Sequence, residues 1–334
     1  MNTIIYSCPY VPAEWIAAHH LRPSRIMPER IGPPGPFALV EGLCPYVHSF
    51  VNEVLTDKSA CGVIVTTLCD QMRRGFDILV RRCKLAAFLM NVPHTWQSVN
   101  AQRLYVDELI RLGRFLVRLG GKSPSDRALS EVMLEYDAAR ASIRAARGYL
   151  SARRYAEAIA GFGCDGPSNV PRATSGDRAS VTGVPLAIIG GPLVRQDLDI
   201  FDIVEQFGGR IILDATETGE RRMPVPFDRR RVRDEPLIEL ARAYFDGIPD
   251  ASRRPNSELY KWFKNELAGP PRRHWRARGV IFRRYVWCDT WHAELCRMRD
   301  WVGLPLLDID VGGGRETHRQ RAPNRIRSFL ETLQ

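Results

Sequence analysis

The chain has little of what would place it quickly. Lysine is scarce, five residues of 334 against 43 arginines. No apolar run reaches the roughly 18 residues that a membrane-spanning helix needs, so the bilayer is not expected as a solvent. The opening MNTIIYSCPYVPAEW has no basic stretch leading into an apolar core, so no secretory signal is expected and the chain reads as cytoplasmic. None of the eight cysteines forms a CxxC pair, which removes most zinc-ribbon and thioredoxin readings. HExxH, GxGxxG and the P-loop are all missing, so nucleotide binding is not expected. The Gly-rich stretches GGPL (190–193) and VGGGRET (311–317) read as tight turns at strand ends.

What is present is an ordinary globular composition, 45% apolar and 26% charged, with a net charge of +10. A length of 334 residues exceeds the usual single core and favours two domains. The positive charge invites a nucleic-acid reading. The arginines, however, come as scattered groups such as Arg73–Arg74, Arg153–Arg154 and Arg229–Arg230–Arg231, with acids between them. A preference for Arg over Lys accounts for this without a nucleic-acid partner. It leaves open a use of Arg toward an anionic ligand.

Periodicity divides the chain. PFALVEGL (36–43), CGVIVTTL (61–68) and KLAAFLMNVP (84–93) read as strands, and YVHSFVNEVLTD and QMRRGFDILVRR as helices between them. A helical region follows over about 100–161, its first helix ending at Gly120–Gly121 and the next opening on Ser/Asp caps and running on unbroken. Residues 163–180, rich in Gly, Pro and Ser, read as a linker. Beyond them GVPLAIIGGPL, RIILDATETG, RGVIFRRYVWC and LPLLDIDVGG read as strands, alternating with helices such as DLDIFDIVEQFGG and DTWHAELCRMRDWVG. Such alternation predicts an α/β fold: two doubly wound, Rossmann- or flavodoxin-like parallel-sheet domains, 1–162 and 181–334, with the helical segment packed on the first.

Three cysteines share one slot. Cys44, Cys69 and Cys288 each stand where a strand gives way to a helix. The carboxyl edge of a parallel sheet is where ligands bind, and a helix N-terminus is expected to lower a thiol's pKa. Three thiolates from separate strand ends suit an iron–sulfur cluster better than zinc, with one iron left open. Buried free thiols at strand ends are the alternative. His48, one helical turn after Cys44, reads either as a donor near such a cluster or as a partly exposed helix residue.

With these residues in hand the chain resembles the 2-hydroxyacyl-CoA dehydratase / benzoyl-CoA reductase family. The likeness is carried by YVPAEWIAAHHLRPSRI (10–26), LCPYVHSFVNEVL, LCDQMRRGFDIL, FDIVEQFGGRIILDATETGER, GVIFRRYVWCDTWHAE and GLPLLDIDVGGGRETHRQRAPNRIRSFLETL. The resemblance implies a 4Fe–4S cluster on Cys44, Cys69 and Cys288. It also implies a dimer with a related or identical subunit, and an ATP-hydrolysing iron–sulfur activator that delivers a low-potential electron to an acyl-CoA thioester. In the dehydratases that electron makes a ketyl radical and expels the 2-hydroxyl; in the ring reductases it enters an aromatic acyl group. Some members carry a double-cubane 8Fe–9S cluster and reduce small molecules, and a non-catalytic electron-relay or scaffold subunit is a further alternative. Ser7 and Glu14 fall near the positions that relatives use around the thioester carbonyl, where a hydroxyl or carboxylate orients substrate or moves a proton. The plainer reading makes Ser7 a turn cap and Glu14 a helix-surface residue.

Overall fold

The computed structural model describes residues 2–31, 42–168, 170, 182–269, 276–312 and 317–334, with the backbone alone for 317–320. The first half contains β1 (Thr3–Tyr6), α1 (Ala13–Ala18), β2 (Arg22–Arg25), α2 (Pro45–Thr56), β3 (Ala60–Thr66), α3 (Asp70–Arg82) and β4 (Ala86–Met90). Its four strands form one sheet in the order β2-β1-β3-β4, every pair parallel. The run PFALVEGL falls largely on residues outside those described. Two short strands absent from the periodicity, β1 and β2, complete the sheet instead.

Three long helices follow: α4 (Val99–Arg118), α5 (Asp126–Ala146) and α6 (Ala152–Asp165). Each opens on a serine whose hydroxyl accepts an amide N–H of the first turn, Ser98 from Ala101, Ser125 from Ala128 and Ser151 from Arg154. The expected unbroken run to residue 161 is therefore two helices. The chain turns at Arg147–Leu150, and Ser151 caps a fresh start. Residues 163–165 finish α6, and a short 3-10 turn follows at Gly166–Ser168.

The second half contains β5 (Val184–Gly190), α7 (Asp199–Gln206), β6 (Gly209–Thr216), α8 (Arg229–Asp234), α9 (Pro236–Ala241), a π-helical turn at Arg242–Asp246, α10 (Ser257–Ala268), β7 (Gly279–Tyr285), α11 (Asp289–Val302), β8 (Leu306–Val311) and α12 (Thr317–Leu333). Its sheet has the order β6-β5-β7-β8, again all parallel. The chain thus builds two all-parallel four-stranded sheets of the same strand order, flanked by helices, as the alternation predicts. In each, the order reverses at the first strand of its half, the position at whose carboxyl edge open parallel sheets bind ligands.

Packing ties the halves together. Phe227, Val232, Leu240 and Tyr244 belong to one core with Tyr10, Trp15, Tyr105 and Leu109, so the segment after β6 packs on α4 and α5. The rings of Tyr105 and Phe245 stack with centroids 4.8 Å apart. Helix α6 contacts both β2 and β6. Among the described residues no helix is long and apolar enough to cross a membrane.

At the end of β5 the backbone of Gly190 has φ +152, and a Cβ there would sit 1.8 Å from the carbonyl oxygen of Arg283 on β7. Gly190→Ala should therefore force β5 and β7 apart and cost about 3 kcal/mol or more. Gly208→Ala shares a positive φ but meets nothing within 4 Å, and should cost about 1 kcal/mol. Urea denaturation of the two variants measures the difference; equal losses would mean that the close approach at Gly190 does not matter.

Candidate metal centre

Cys44, Cys69 and Cys288 are the N-cap residues of α2, α3 and α11. Two of them hold equivalent places: Cys69 follows β3 and Cys288 follows β7, the strands next to the first strand of each sheet. Their delivery depends on local backbone. Pro45 at the first turn of α2 fixes the chain just after Cys44. Gln71, two residues past Cys69, accepts the Cys44 N–H at 2.9 Å and donates to the Gly42 carbonyl at 3.2 Å, which pins the approach of α2 to the start of α3. Trp287, with φ +65, turns the chain out of β7 so that Cys288 opens α11.

The three thiols come together in one apolar cluster that draws on both halves. Cys44 is buried there with Tyr46, Val47, Met72, Val194 and Tyr285, and Cys69 and Cys288 pack against it. They are close enough to act on one another electrostatically: Cys44 raises the pKa of Cys69, and both raise that of Cys288. Burial is the dominant effect on each. It lifts Cys44 to about 11 and Cys69 to about 12, and pushes Cys288 higher still. This corrects the expectation of thiols made acidic by helix N-termini. The amides of Tyr46 and Val47, of Gln71 and Met72, and of Trp291 do pull downward, but desolvation outweighs them. Among the described residues no three His, Cys, Asp or Glu side chains converge as tightly as a single metal ion requires. Three soft sulfurs around an apolar space are the kind of donor set that thiolate-bound iron–sulfur groups use.

The surroundings carry several groups that spacing did not reveal. Arg25, at the end of β2, donates to the main-chain carbonyl of Ser7 through Nε and to that of Glu217 through Nη2 at 3.0 Å, so it joins the two sheet edges. Ser7 is buried at the end of β1 and hydrogen-bonds to the Tyr46 phenol. Glu217, in the loop after β6, acts on all three thiols, and its own pKa is pushed up to about 7 by burial. Glu14 is not on the helix surface. It is fully buried, with one oxygen paired to Arg140 and the other accepting from the Tyr244 hydroxyl at 2.7 Å. His48 is also buried rather than partly exposed, and its ring nitrogen meets the Asn52 amide at 3.2 Å.

With this geometry in place, the chain can be set against known proteins. It matches the family of the 2-hydroxyglutaryl-CoA dehydratase D-component over residues 8–333. The chain belongs to that family. No curated protein matches it. The family is one of dehydratase-type enzymes, and the match takes in all three helix-capping cysteines together with Arg25, Glu14 and Glu217.

A pH dependence follows from the same loop. Glu220 is pushed up to about 8 by burial, although Arg147 lies 2.9 Å away and opposes the shift. A carboxyl whose pKa is higher folded than unfolded favours the folded state most at low pH. Its contribution is complete below the ordinary 4.5 and disappears as pH rises through about 8. Chemical denaturation between pH 5 and 8 should show stability of the metal-free protein falling by up to a few kcal/mol, about 1.4 kcal/mol for each pKa unit. Glu220→Gln should flatten that slope, and an unchanged slope would locate the dependence elsewhere.

Proposed function

We propose that this chain is the cluster-bearing subunit of a 2-hydroxyacyl-CoA dehydratase-type enzyme, with Cys44, Cys69 and Cys288 holding a 4Fe–4S cluster. The observation that carries the reading is the gathering of these three thiols, one from each of three helix starts, in a single apolar cluster between the two sheets. When bound, such a cluster supplies a single electron at low potential. Each thiol must give up its proton to bind it, so loading releases protons. The apolar walls of Val47, Met72, Val194 and Tyr285 keep water from the sulfurs and so tune the potential.

Around that position the chain's own groups divide the work. Ser7 and Tyr46 present a hydrogen-bonded pair of hydroxyls at the end of β1, suited to orienting a thioester carbonyl. Glu14 acts at one remove: with Arg140 and Tyr244 it fastens α1 to α5 and the π-helical turn, which fixes the segment that carries Ser7. The substrate in this reading is an acyl-CoA thioester. The electron comes from an ATP-hydrolysing iron–sulfur activator, and the chain pairs with a related or identical subunit.

Iron and acid-labile sulfide per chain, measured after purification without oxygen, test the reading. About four of each supports it; roughly twice as much would favour a fused double cluster acting on small molecules. Absence of iron from a folded protein with eight titratable thiols would sink it. Cys44→Ala, Cys69→Ala and Cys288→Ala should each lose most of the iron, whereas Cys61→Ala should keep it. Turnover that appears only with a paralogous subunit would assign this chain to electron relay.

The clamp made by Gln71 gives a milder test. Gln71→Ala removes both hydrogen bonds to the Cys44 approach, and should lower iron retention against a chelator about tenfold. The fold should lose only about 1 kcal/mol. Iron held as firmly as in the wild type would show that Cys44 is placed without the clamp.

A further inference from the structure

Where the segment after β4 meets α10, the structure leaves a cavity of about 270 Å³ to which the reading above gives no task. We infer that this cavity holds the adenine ring of a CoA thioester, stacked on Trp96 and Trp262 and read at its edge by Asn265. The inference rests on the acyl-CoA reading and goes one step further.

Size and build are the first support. A cavity of about 150 Å³ takes a benzene ring, whereas whole drug-sized ligands fill roughly 300–1,000 Å³. One of 270 Å³ suits a single bicyclic ring with the rest of its carrier outside. Both halves contribute an indole. Trp96 packs against the core of Tyr10, Trp15 and Tyr105, and its Nε1–H donates to the Pro255 carbonyl at 3.1 Å. Trp262 packs against the core of Phe263, Phe282 and Trp291. It stands on α10 in a stripe with Glu258, Lys261 and Asn265, whose helical spacing puts all four on the face that lines the cavity.

The charges of the wall favour a neutral ring over a phosphate. Its acids are answered from nearby: Asp250 by Arg221 at 2.7 Å, Glu258 by Lys261 at 2.6 Å, and Asp246 by the Gln102 amide at 3.5 Å. Arg253 offers the cavity no free edge, because Nη1 donates to the Phe245 carbonyl at 2.9 Å and its other two nitrogens are shielded from solvent. Indoles are good platforms for a planar base. The amide of the exposed Asn265 has no partner among the described residues. A carboxamide's adjacent donor and acceptor match the N6 and N7 edge of adenine. The missing Gly-rich motifs are loops that cradle phosphates, and a ring gripped by its faces needs none.

Position fits the same assignment. Arg221 bonds Pro249 and Asp250 in the cavity wall, and also the carbonyls of Ala215 and Gly190 at the carboxyl ends of β6 and β5. Its guanidinium lies over the Trp291 ring at 5.0 Å. Trp291 is in the first turn of α11, the helix that Cys288 caps. One side chain thus joins the cavity to the sheet edge and to the start of a cysteine-bearing helix.

The test uses the full chain purified without oxygen, titrated calorimetrically with butyryl-CoA and with butyryl-pantetheine, the same thioester without its nucleotide. The wild type should bind butyryl-CoA about tenfold more tightly or better, and AMP but not GMP should displace it. Asn265→Trp fills the cavity from an exposed helix position and should remove the difference between the two thioesters. Equal affinities in the wild type, or a difference that survives in Asn265→Trp, would overturn the inference and leave the acyl-CoA reading standing. Failure of both thioesters to bind a chain that holds its iron would overturn both. AMP bound by the wild type and lost in Asn265→Trp, with equal affinities for the thioesters, would make the cavity a site for a free nucleotide and overturn the CoA assignment.

Discussion

One side chain, Arg25, does most to make this chain a single site rather than two sheets. It sits at the end of a short edge strand and spends its guanidinium on two main-chain carbonyls, Ser7 at the edge of the first sheet and Glu217 at the edge of the second. Those carbonyls lie at the carboxyl ends of parallel strands, where no further strand bond is available to them. Arginine suits this duty because its donors form a rigid planar fork that serves two acceptors at once. Main-chain bonds extend the seam: Arg195 N–H to Pro28 and Gln196 N–H to Glu29, at 2.8 and 2.9 Å. The thiols have a common apolar space only because these edges are held face to face.

The same principle accounts for several of the arginines. Arg221 bonds the carbonyls of Ala215 and Pro249, Arg222 that of Ile159, and Arg253 that of Phe245, all from buried positions. Arg283 pairs with Asp197 between β5 and α7, and Arg140 with Glu14. Lysine, with one compact head, would bridge fewer acceptors and would more readily lose its charge when buried. Residues that look like a basic surface in composition are, at these positions, internal fasteners. The dense burial also raises the pKa of thiols and carboxyls alike, which is why the helix N-termini do not leave thiolates behind.

What was legible in the sequence follows from how local each signal is. Strand, cysteine, helix is a local pattern: it put Cys44, Cys69 and Cys288 alike at strand ends, and the structure has Cys69 and Cys288 so placed and all three at helix starts, the strand expected before Cys44 lying largely outside the described residues. Gln71, Arg25 and Glu217 carry no such pattern, since each acts across the fold on a partner distant in sequence. Glu217 lies in the loop after a recognisable strand, where no local spacing marks it. β1 and β2 escaped notice for a physical reason: four-residue strands are too short to show a period, and β2 reads RPSR, with no apolar residue beyond proline. Within the arginine-rich stretch 217–236, Asp228 caps α8 and Pro236 opens α9, two helices of six residues each, too short to show a period. The break before Ser151 was masked by helix-forming residues on both sides.

The two sheets share one strand order, but they do not contribute alike, and the difference bears on what the site can do. After the third strand of each half comes a cysteine, Cys69 in one and Cys288 in the other. After the first strand the halves diverge: Ser7 and Cys8 follow β1, whereas Gly190 closes β5 and Gly191 follows it. A side chain at Gly191 would press on the Trp291 ring, with a Cβ 3.3 Å from it, so that edge offers backbone rather than a ligand. The first half adds Cys44 from a helix of its own, so two thiols from one half meet one from the other in the shared apolar cluster. The asymmetry begins at the edges themselves, since the first sheet offers side chains where the second offers backbone.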